Sequence, residues 1–203
     1  MESAQILFDR NITGLEYRIK ELASARSFDG RIINASHLKD CEVLIVRSVT
    51  KVDRNLLDDS RVKLVCSATA GLDHVDVDYL AKSGIDFFST QGCNSKAVME
   101  YTVNCIFSYA ASLGVSPFAL TVGIVGYGNV GKQLAKILGH LEIKTLINDP
   151  PLQEWGGGSS TFSSMQEILD CDVVTLHVPY NEVGRFPTKD LFDEEKLKRL
   201  RRS

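Results

Sequence analysis

The chain has 203 residues, of which 44% are hydrophobic and 24% are charged, and its formal net charge at pH 7 is −3. This composition is typical of a globular protein and excludes general disorder, and the small negative charge gives no reason to expect nucleic acid or an anionic membrane as a partner. No apolar run approaches the roughly 18 residues that span a bilayer, and the first residues lack the pattern of a secretory signal. We therefore expect a cytoplasmic protein that binds a small molecule.

Short apolar runs alternate with helical patterns along the whole chain. Continuous apolar runs are typical of strands that are buried on both faces of a parallel sheet, and their alternation with helices predicts an α/β fold. Strands are predicted at 6–8, 43–46, 62–66, 87–88, 122–125, 145–147 and 173–176, and helices at 15–22, 53–57, 76–82 and 94–112.

The predicted helix 94–112 is long enough to begin a second unit. We expect its buried face to be an apolar stripe, and we place the boundary between two units at residue 95, which gives the ranges 1–95 and 96–203. The stripe is formed by Val98, Tyr101, Cys105, Ile106 and Tyr109.

The pattern G-x-G-x-x-G, formed by Gly126, Gly128 and Gly131, follows the predicted strand 122–125 at once. The first glycine permits a tight turn, the second lets the backbone approach a pyrophosphate, and the third lets the helix pack on the strand. The amides that open the helix, including those of Asn129 and Val130, then face the phosphates. By itself, the pattern also fits an ordinary turn between strand and helix.

Asp149 stands at the end of the next predicted strand, 149 − 131 = 18 residues after Gly131. A carboxylate at this place can accept hydrogen bonds from an adenosine ribose and would repel the additional phosphate of NADP. The sequence therefore predicts NAD as the cofactor. The alternative is that Asp149 only serves the turn before Pro150 and Pro151.

His177 and Val178 directly follow the apolar run of the strand predicted at 173–176. Ligands of open α/β sheets bind at the carboxyl ends of the strands, so we expect the backbone of this segment to line the cofactor site. General acid–base chemistry by His177 is a weaker alternative than a hydrogen-bonded structural role. The four histidines and five cysteines show no spacing typical of a metal site, so we assign no metal.

Polar turns follow two strands of the first unit. Arg47 and Ser48 follow one strand and Thr69 follows the next, so these side chains are expected along one edge of the sheet. A guanidinium group and hydroxyls suit a carboxylate or a phosphate. The alternative is that Ser48 and Thr50 only cap the following helix.

Five segments taken together carry a resemblance to a known family. They are RSVTKV at 47–52, ATAGLDHVD at 68–76, GCN at 92–94 with Glu100 and Tyr101, GIVGYGNVG at 123–131, and DPP at 149–151. In this order they closely resemble the D-2-hydroxyacid dehydrogenase family, over nearly the whole chain.

The resemblance implies a flavodoxin-like substrate domain over 1–95 and part of a doubly wound Rossmann domain that binds NAD over 96–203. It implies oxidation of a small phosphorylated 2-hydroxyacid by hydride transfer to NAD, with Ser48 and Thr69 binding substrate and Asp149 binding the adenosine ribose. The resembling enzymes commonly have Thr where this sequence has Val178, so a backbone contact to the cofactor would survive there and a hydroxyl contact would not. A homodimer is expected by the same resemblance.

The family's catalytic Arg, Glu and His are expected beyond residue 203. We therefore expect a C-terminally truncated chain and assign no catalytic residue within it. Two alternatives stay open, namely a dehydrogenase of another phosphorylated 2-hydroxyacid such as 3-phosphoglycerate, and a noncatalytic protein that binds NAD.

Overall fold

Two separate parallel sheets organise the chain. The structure is a computed structural model that describes residues 5–19, 24–156 and 161–200, and the chain divides into two units, Met1–Cys93 and Asn94–Ser203. Every strand pairing among the described residues is parallel, which confirms the predicted α/β class.

The first unit contains a five-stranded sheet with strand order β2-β1-β3-β4-β5. Its core combines helix side chains with side chains of the inner strands, and among the latter Leu44, Val46 and Val65 are fully buried. The elements are β1 Gln5–Asp9, α1 Leu15–Ile19, β2 Ser24–Phe28, a 3-10 turn at Ala35–Leu38, β3 Val43–Val46, α2 Arg54–Leu57, β4 Leu64–Ser67, α3 Val77–Lys82 and β5 Asp86–Ser89.

The edge strand β2 is absent from the sequence predictions. Its sequence is SARSF, and Phe28 is the one buried side chain of the strand. An edge strand with one solvent-exposed side needs few apolar residues, so it lacks the continuous run typical of inner strands. The helix predicted at 15–22 is observed at Leu15–Ile19, and the rest of that prediction, residues 20–22, lies outside the described residues.

The second unit contains a three-stranded sheet with strand order β7-β6-β8. Its strand β6 lies in the centre, so the turn after β6 is flanked by the ends of both neighbours. The elements are α4 Ser95–Leu113, a 3-10 turn at Pro117–Ala119, β6 Thr121–Val125, α5 Asn129–His140, β7 Lys144–Asn148, α6 Pro150–Glu154, α7 Met165–Leu169, β8 Val173–Leu176 and α8 Glu194–Arg199.

The predicted apolar stripe of α4 is wrong in part. Ile106 is buried as expected, but Tyr101 is 71% exposed and Cys105 is exposed. The buried face instead runs through Ile106 and Ala110, which belong to one core cluster with residues of α5 such as Leu134. The spacing of apolar residues on α4 allowed two faces, and packing against α5 selects one of them. None of the helices in the described ranges has the length and apolar character to cross a membrane.

Candidate functional site

The turn after β6 depends on two glycines for its own backbone packing. Gly126 has φ of +94°, in the left-handed region that favours glycine, and its N–H donates to the carbonyl of Asn148 at 2.8 Å. A Cβ atom on Gly131 would overlap the carbonyl oxygen of Gly126. The first and third glycines of the pattern are therefore required by the fold itself.

Gly128 differs from its two partners in the pattern. Its φ is −82°, which any residue can adopt, and a Cβ atom there would meet no atom within 4 Å. Gly128 precedes α5, whose first internal hydrogen bond runs from Lys132 N–H to the Gly128 carbonyl at 3.0 Å. The amides of Asn129, Val130 and Gly131 consequently have no acceptor within the helix. These groups can bind an anion.

Asp149 follows β7 and joins two neighbouring segments. Its Oδ2 accepts the Tyr127 N–H at 2.7 Å, and its Oδ1 accepts the Leu152 N–H at 2.9 Å. The local role that the sequence left open is therefore present, because Asp149 is the N-cap of α6. Each carboxylate oxygen has a second lone pair, so the half-buried group retains the capacity to accept hydroxyl hydrogen bonds.

The end of β8 completes this edge of the sheet. The His177 N–H donates to the Val125 carbonyl at 2.7 Å, and His177 Nε2 lies 3.0 Å from Thr175 Oγ1. Burial lowers the pKa of His177, which keeps the imidazole neutral at pH 7. Val178 lies close to the glycine turn, since a Cβ atom on Gly126 would come within 2.9 Å of Val178 Cγ1.

A cavity of about 810 Å³ opens at the carboxyl ends of β6, β7 and β8. Its outer wall comes from the segment after β8, and the Arg185 guanidinium forms an ion pair with Glu154 of α6. The volume is within the range of small-molecule and cofactor sites. Lining residues include Gly128, Asp149, Trp155, His177, Val178 and Phe186.

In the first unit, Arg47 is held by a buried carboxylate. Its Nε donates to Asp9 Oδ2 at 3.0 Å and its Nη2 donates to Oδ1 at 3.4 Å, while Asp9 is fully buried at the end of β1. Ser48 is exposed, and the buried Thr50 donates to the Gly30 carbonyl at 2.9 Å. One side of the Arg47 guanidinium thus binds Asp9.

Thr69 lies in a short network of polar side chains after β4. Its Oγ1 is 2.9 Å from Ser67 Oγ, which is also 3.0 Å from His74 Nε2. Ser67 and His74 are buried. Burial lowers the pKa of His74, and the charge of Asp73 opposes this shift. Thr69 itself is half-buried.

Three of these side chains were absent from the sequence-based site, namely Asp9, Ser67 and His74. Asp9 and Ser67 end strands, so their available signal was a polar residue at the carboxyl end of an apolar run, whereas His74 lies in the turn after β4 and carried no such signal. The pairing of Asp9 with Arg47 could not be read from that signal, because it requires β1 and β3 to be neighbours. In the ranges that the structure describes, no group of three or more His, Cys, Asp or Glu residues is arranged to hold a metal ion.

Comparison with known proteins identifies the family. Residues 14–192 match the model of the D-isomer specific 2-hydroxyacid dehydrogenase, catalytic domain. The chain belongs to this family. Among curated proteins, this dehydrogenase-family chain is 41% identical over 197 residues to an erythronate-4-phosphate dehydrogenase of Hahella chejuensis and 42% identical over 198 residues to one of Shewanella loihica. Each alignment covers 97% of this chain but only 51% and 52% of the relative. The chain therefore spans about half the length of these relatives.

Solved structures of two dehydrogenases share the fold. The NAD⁺-bound 3-phosphoglycerate dehydrogenase of Entamoeba histolytica matches with a TM-score of 0.72 at 22% identity, over 98% of this chain and 69% of that one. The D-lactate dehydrogenase of Aquifex aeolicus, solved with NAD and lactic acid, matches with a TM-score of 0.69 at 25% identity, over 96% of this chain and 66% of that one.

Proposed function

We propose that this chain is part of an NAD-dependent oxidoreductase that oxidises 4-phospho-D-erythronate to 2-oxo-3-hydroxy-4-phosphobutanoate, a step of pyridoxal 5'-phosphate biosynthesis. The curated relatives support this substrate, since they are named for it at about 40% identity. In this proposal, residues 1–95 form the substrate domain and residues 96–203 form part of the NAD-binding domain. The cytoplasmic location and the homodimer stay predictions.

The observation that carries the cofactor proposal is the contrast between Gly128 and the other glycines of the pattern. The fold requires glycine at Gly126 and Gly131 but leaves open space around Gly128. A glycine that no protein atom requires, at the mouth of a cavity and next to free helix amides, fits a ligand whose phosphates approach the backbone closely.

The surrounding residues fit NAD. The amides of Asn129, Val130 and Gly131 would hold the pyrophosphate, and Asp149 would accept hydrogen bonds from the adenosine ribose. His177 and Val178 would line the cofactor through their backbone and the neutral imidazole. When bound, NAD would accept the hydride that leaves the carbon bearing the 2-hydroxyl group.

Substrate binding is proposed for Arg47, Ser48 and Thr69. Ser48 is exposed and Thr69 is half-buried, so both hydroxyls are within reach of solvent. Arg47 uses Nε and Nη2 to bind Asp9, which leaves the N–H groups of Nη1 for an anion. The buried Asp9 carboxylate fixes the guanidinium, so an anion would meet a charge whose position is already set.

Replacing Gly128 tests the cofactor site directly. We expect Gly128→Ala to change the free energy of unfolding by less than about 1 kcal/mol, because the added methyl group meets no protein atom. It should weaken NAD binding, measured by calorimetry, by at least about tenfold, since the methyl group occupies the space of the pyrophosphate. Gly139→Ala is the matched control, because Gly139 lies in the same helix with open space around its Cβ position. Equal NAD affinity of both variants would contradict the proposed site.

A further inference from the structure

The hydroxyl of Ser67 lies between two other polar side chains. It is 3.0 Å from His74 Nε2 and 2.9 Å from Thr69 Oγ1, and both Ser67 and His74 are buried. A serine hydroxyl has one proton to donate and can accept from two donors. The direction of the two hydrogen bonds therefore decides whether the Thr69 proton is used inside the protein or is free for a ligand.

The other nitrogen of His74 sets this direction. His74 Nδ1 is buried and has no hydrogen-bond partner among the described residues. A neutral imidazole carries one proton, and an orphaned buried N–H is rarer in proteins than an orphaned acceptor. The proton therefore belongs on Nε2, where it is donated to Ser67 Oγ. The lowered pKa of His74 agrees with a neutral ring.

The cost of burying a donor without an acceptor also fixes the direction of the hydrogen bond between Ser67 and Thr69. If Ser67 Oγ accepted from both His74 and Thr69, its own proton would be buried without an acceptor. Ser67 instead accepts from His74 and donates to Thr69 Oγ1, which satisfies both the His74 Nε2–H and the Ser67 hydroxyl proton. The Thr69 proton then has no acceptor within the network, and the half-buried side chain can direct it toward a ligand.

We propose that Ser67 and His74 are positioning residues that fix Thr69 as a hydrogen-bond donor to an anionic oxygen of the substrate. This inference rests on the proposed function, in which Thr69 binds the substrate. A fixed Thr69 donor affects specificity. It favours a carboxylate or phosphate oxygen, which accepts a hydrogen bond, over a ligand group that can only donate one. Ser67 and His74 act through Thr69 and do not themselves touch the substrate.

Imidazole nitrogen NMR of the intact 203-residue chain tests the direction without any ligand. Long-range nitrogen–proton correlation spectra distinguish a protonated from an unprotonated ring nitrogen. We expect His74 to be neutral at pH 7 with the proton on Nε2. A proton on Nδ1 would overturn the proposal, because Ser67 would then donate to His74 and Thr69 would donate to Ser67.

A titration with 4-phosphoerythronate, followed by the amide shifts of the first unit, tests the consequence. Thr69→Val should weaken binding by roughly tenfold, as loss of a hydrogen bond to a charged group does. Ser67→Ala should weaken binding to a similar extent, and the double variant should be no weaker than Thr69→Val alone, because the residues act as a unit. A titration with erythronate, which lacks the phosphate, shows which anionic group Thr69 contacts: an unchanged effect of Thr69→Val identifies the carboxylate.

The choice of His74 variants separates positioning from stability. His74→Gln keeps a side-chain N–H near the place of Nε2 and should retain wild-type affinity within about threefold, whereas His74→Leu removes the donor and should match Ser67→Ala. Equal affinities of the Gln and Leu variants would overturn the positioning role of Ser67 and His74 and leave the proposed function intact. No binding by the wild-type chain would overturn the proposed substrate site and with it the role of Thr69, although the NMR result for His74 would stand.

Discussion

Arg47 and Asp9 form a two-point ion pair across the carboxyl ends of β3 and β1, with Nε 3.0 Å from Oδ2 and Nη2 3.4 Å from Oδ1. The Asp9 side chain is fully buried, while 28% of the Arg47 side chain is exposed. The backbone and side chain of Asn11 also donate to Asp9 Oδ1, at 2.9 and 3.2 Å. The pair therefore joins adjacent strands of the sheet and sets where the guanidinium meets solvent.

Removal of the arginine should destabilise the first unit. We expect Arg47→Met to lower the free energy of unfolding by about 3 kcal/mol, because the buried Asp9 carboxylate loses its counter-charge. Lys51→Met is the control, since the Lys51 side chain is 81% exposed in its ion pair with Asp53 and its loss should change stability by less than about 1 kcal/mol. Hydrogen exchange of the β1 and β3 amides measures both. Equal small effects would mean that Asp9 is compensated by other groups.

Two glycines of α5 should respond in opposite directions to the same substitution. Gly131→Ala places a methyl group on the Gly126 carbonyl oxygen, and we expect a loss of about 3 kcal/mol in the free energy of unfolding. Gly139→Ala meets open space within the helix and should stabilise the unit by about 0.5–1 kcal/mol. Urea unfolding of the two variants measures the difference. A stable Gly131→Ala protein would show that the turn can move away from the helix.

Cofactor preference should depend on Asp149. We expect the wild-type chain to bind NAD at least about tenfold more tightly than NADP, because a carboxylate next to the ribose repels a 2'-phosphate. Asp149→Ala should lose this preference and also about 1 kcal/mol of stability, since the residue caps α6. Asp53→Ala, which removes the cap of α2 in the first unit, controls for the loss of a cap alone. Equal wild-type affinities for the two cofactors would mean that Asp149 is a cap only.

Much of the second unit could be predicted because its strands and its turn carry strong local signals. The apolar runs of β6 and β8 and the glycines between β6 and α5 are each read from adjacent residues. A local role for Asp149 was predicted as an alternative, but in a turn before Pro150; the structure shows it as the N-cap of α6, a helix absent from the sequence predictions. Local chemistry alone did not decide between the cap and the ribose ligand, since one carboxylate can accept hydrogen bonds for both.

What escaped prediction depends on contacts between distant residues. The edge strand β2 has one buried side chain, Phe28, so it has no apolar run to detect. Tyr101 was predicted on the same apolar stripe of α4 as Ile106, but packing of Ile106 with residues of α5 leaves Tyr101 exposed. Ser67 and His74 are ordinary residues in the sequence, and they form a network only when the turn after β4 folds back.

The stability of the second unit should fall on acidification because of His177. Burial lowers the pKa of His177 below its ordinary value of 6.5, so between the two pKa values the unfolded chain binds more protons than the folded one. The stabilisation is complete above about pH 6.5 and is lost as pH falls toward the folded pKa. His177→Gln should flatten the pH dependence of urea unfolding in this range, whereas His140→Gln, a change on the exposed end of α5, serves as the control. An unchanged slope in His177→Gln would show that His177 is protonated equally in both states.

The last prediction concerns catalysis, since we expect this chain to bind the cofactor but to turn over substrate slowly. It spans about half the length of its curated relatives, and among residues 1–203 we assign neither an acceptor for the hydroxyl proton nor a charge positioned on the hydroxyl oxygen. Hydride leaves the 2-hydroxyl carbon only as the hydroxyl proton is taken by a base, and a positioned base contributes a factor of about 10² to 10⁴.

We therefore expect the 203-residue chain to bind NAD but to form NADH from 4-phosphoerythronate at least about 10²-fold more slowly than the full-length Hahella chejuensis relative. Loss of a positioned charge on the substrate oxygen would lower the rate by roughly a further 10² to 10³, although the two losses need not add. NADH absorbance at saturating NAD measures both proteins, and 3-phosphoglycerate in place of 4-phosphoerythronate tests the alternative substrate. Turnover of 4-phosphoerythronate by the short chain within tenfold of the relative would show that residues 1–203 already contain the proton acceptor, and His177 would be the first group to replace.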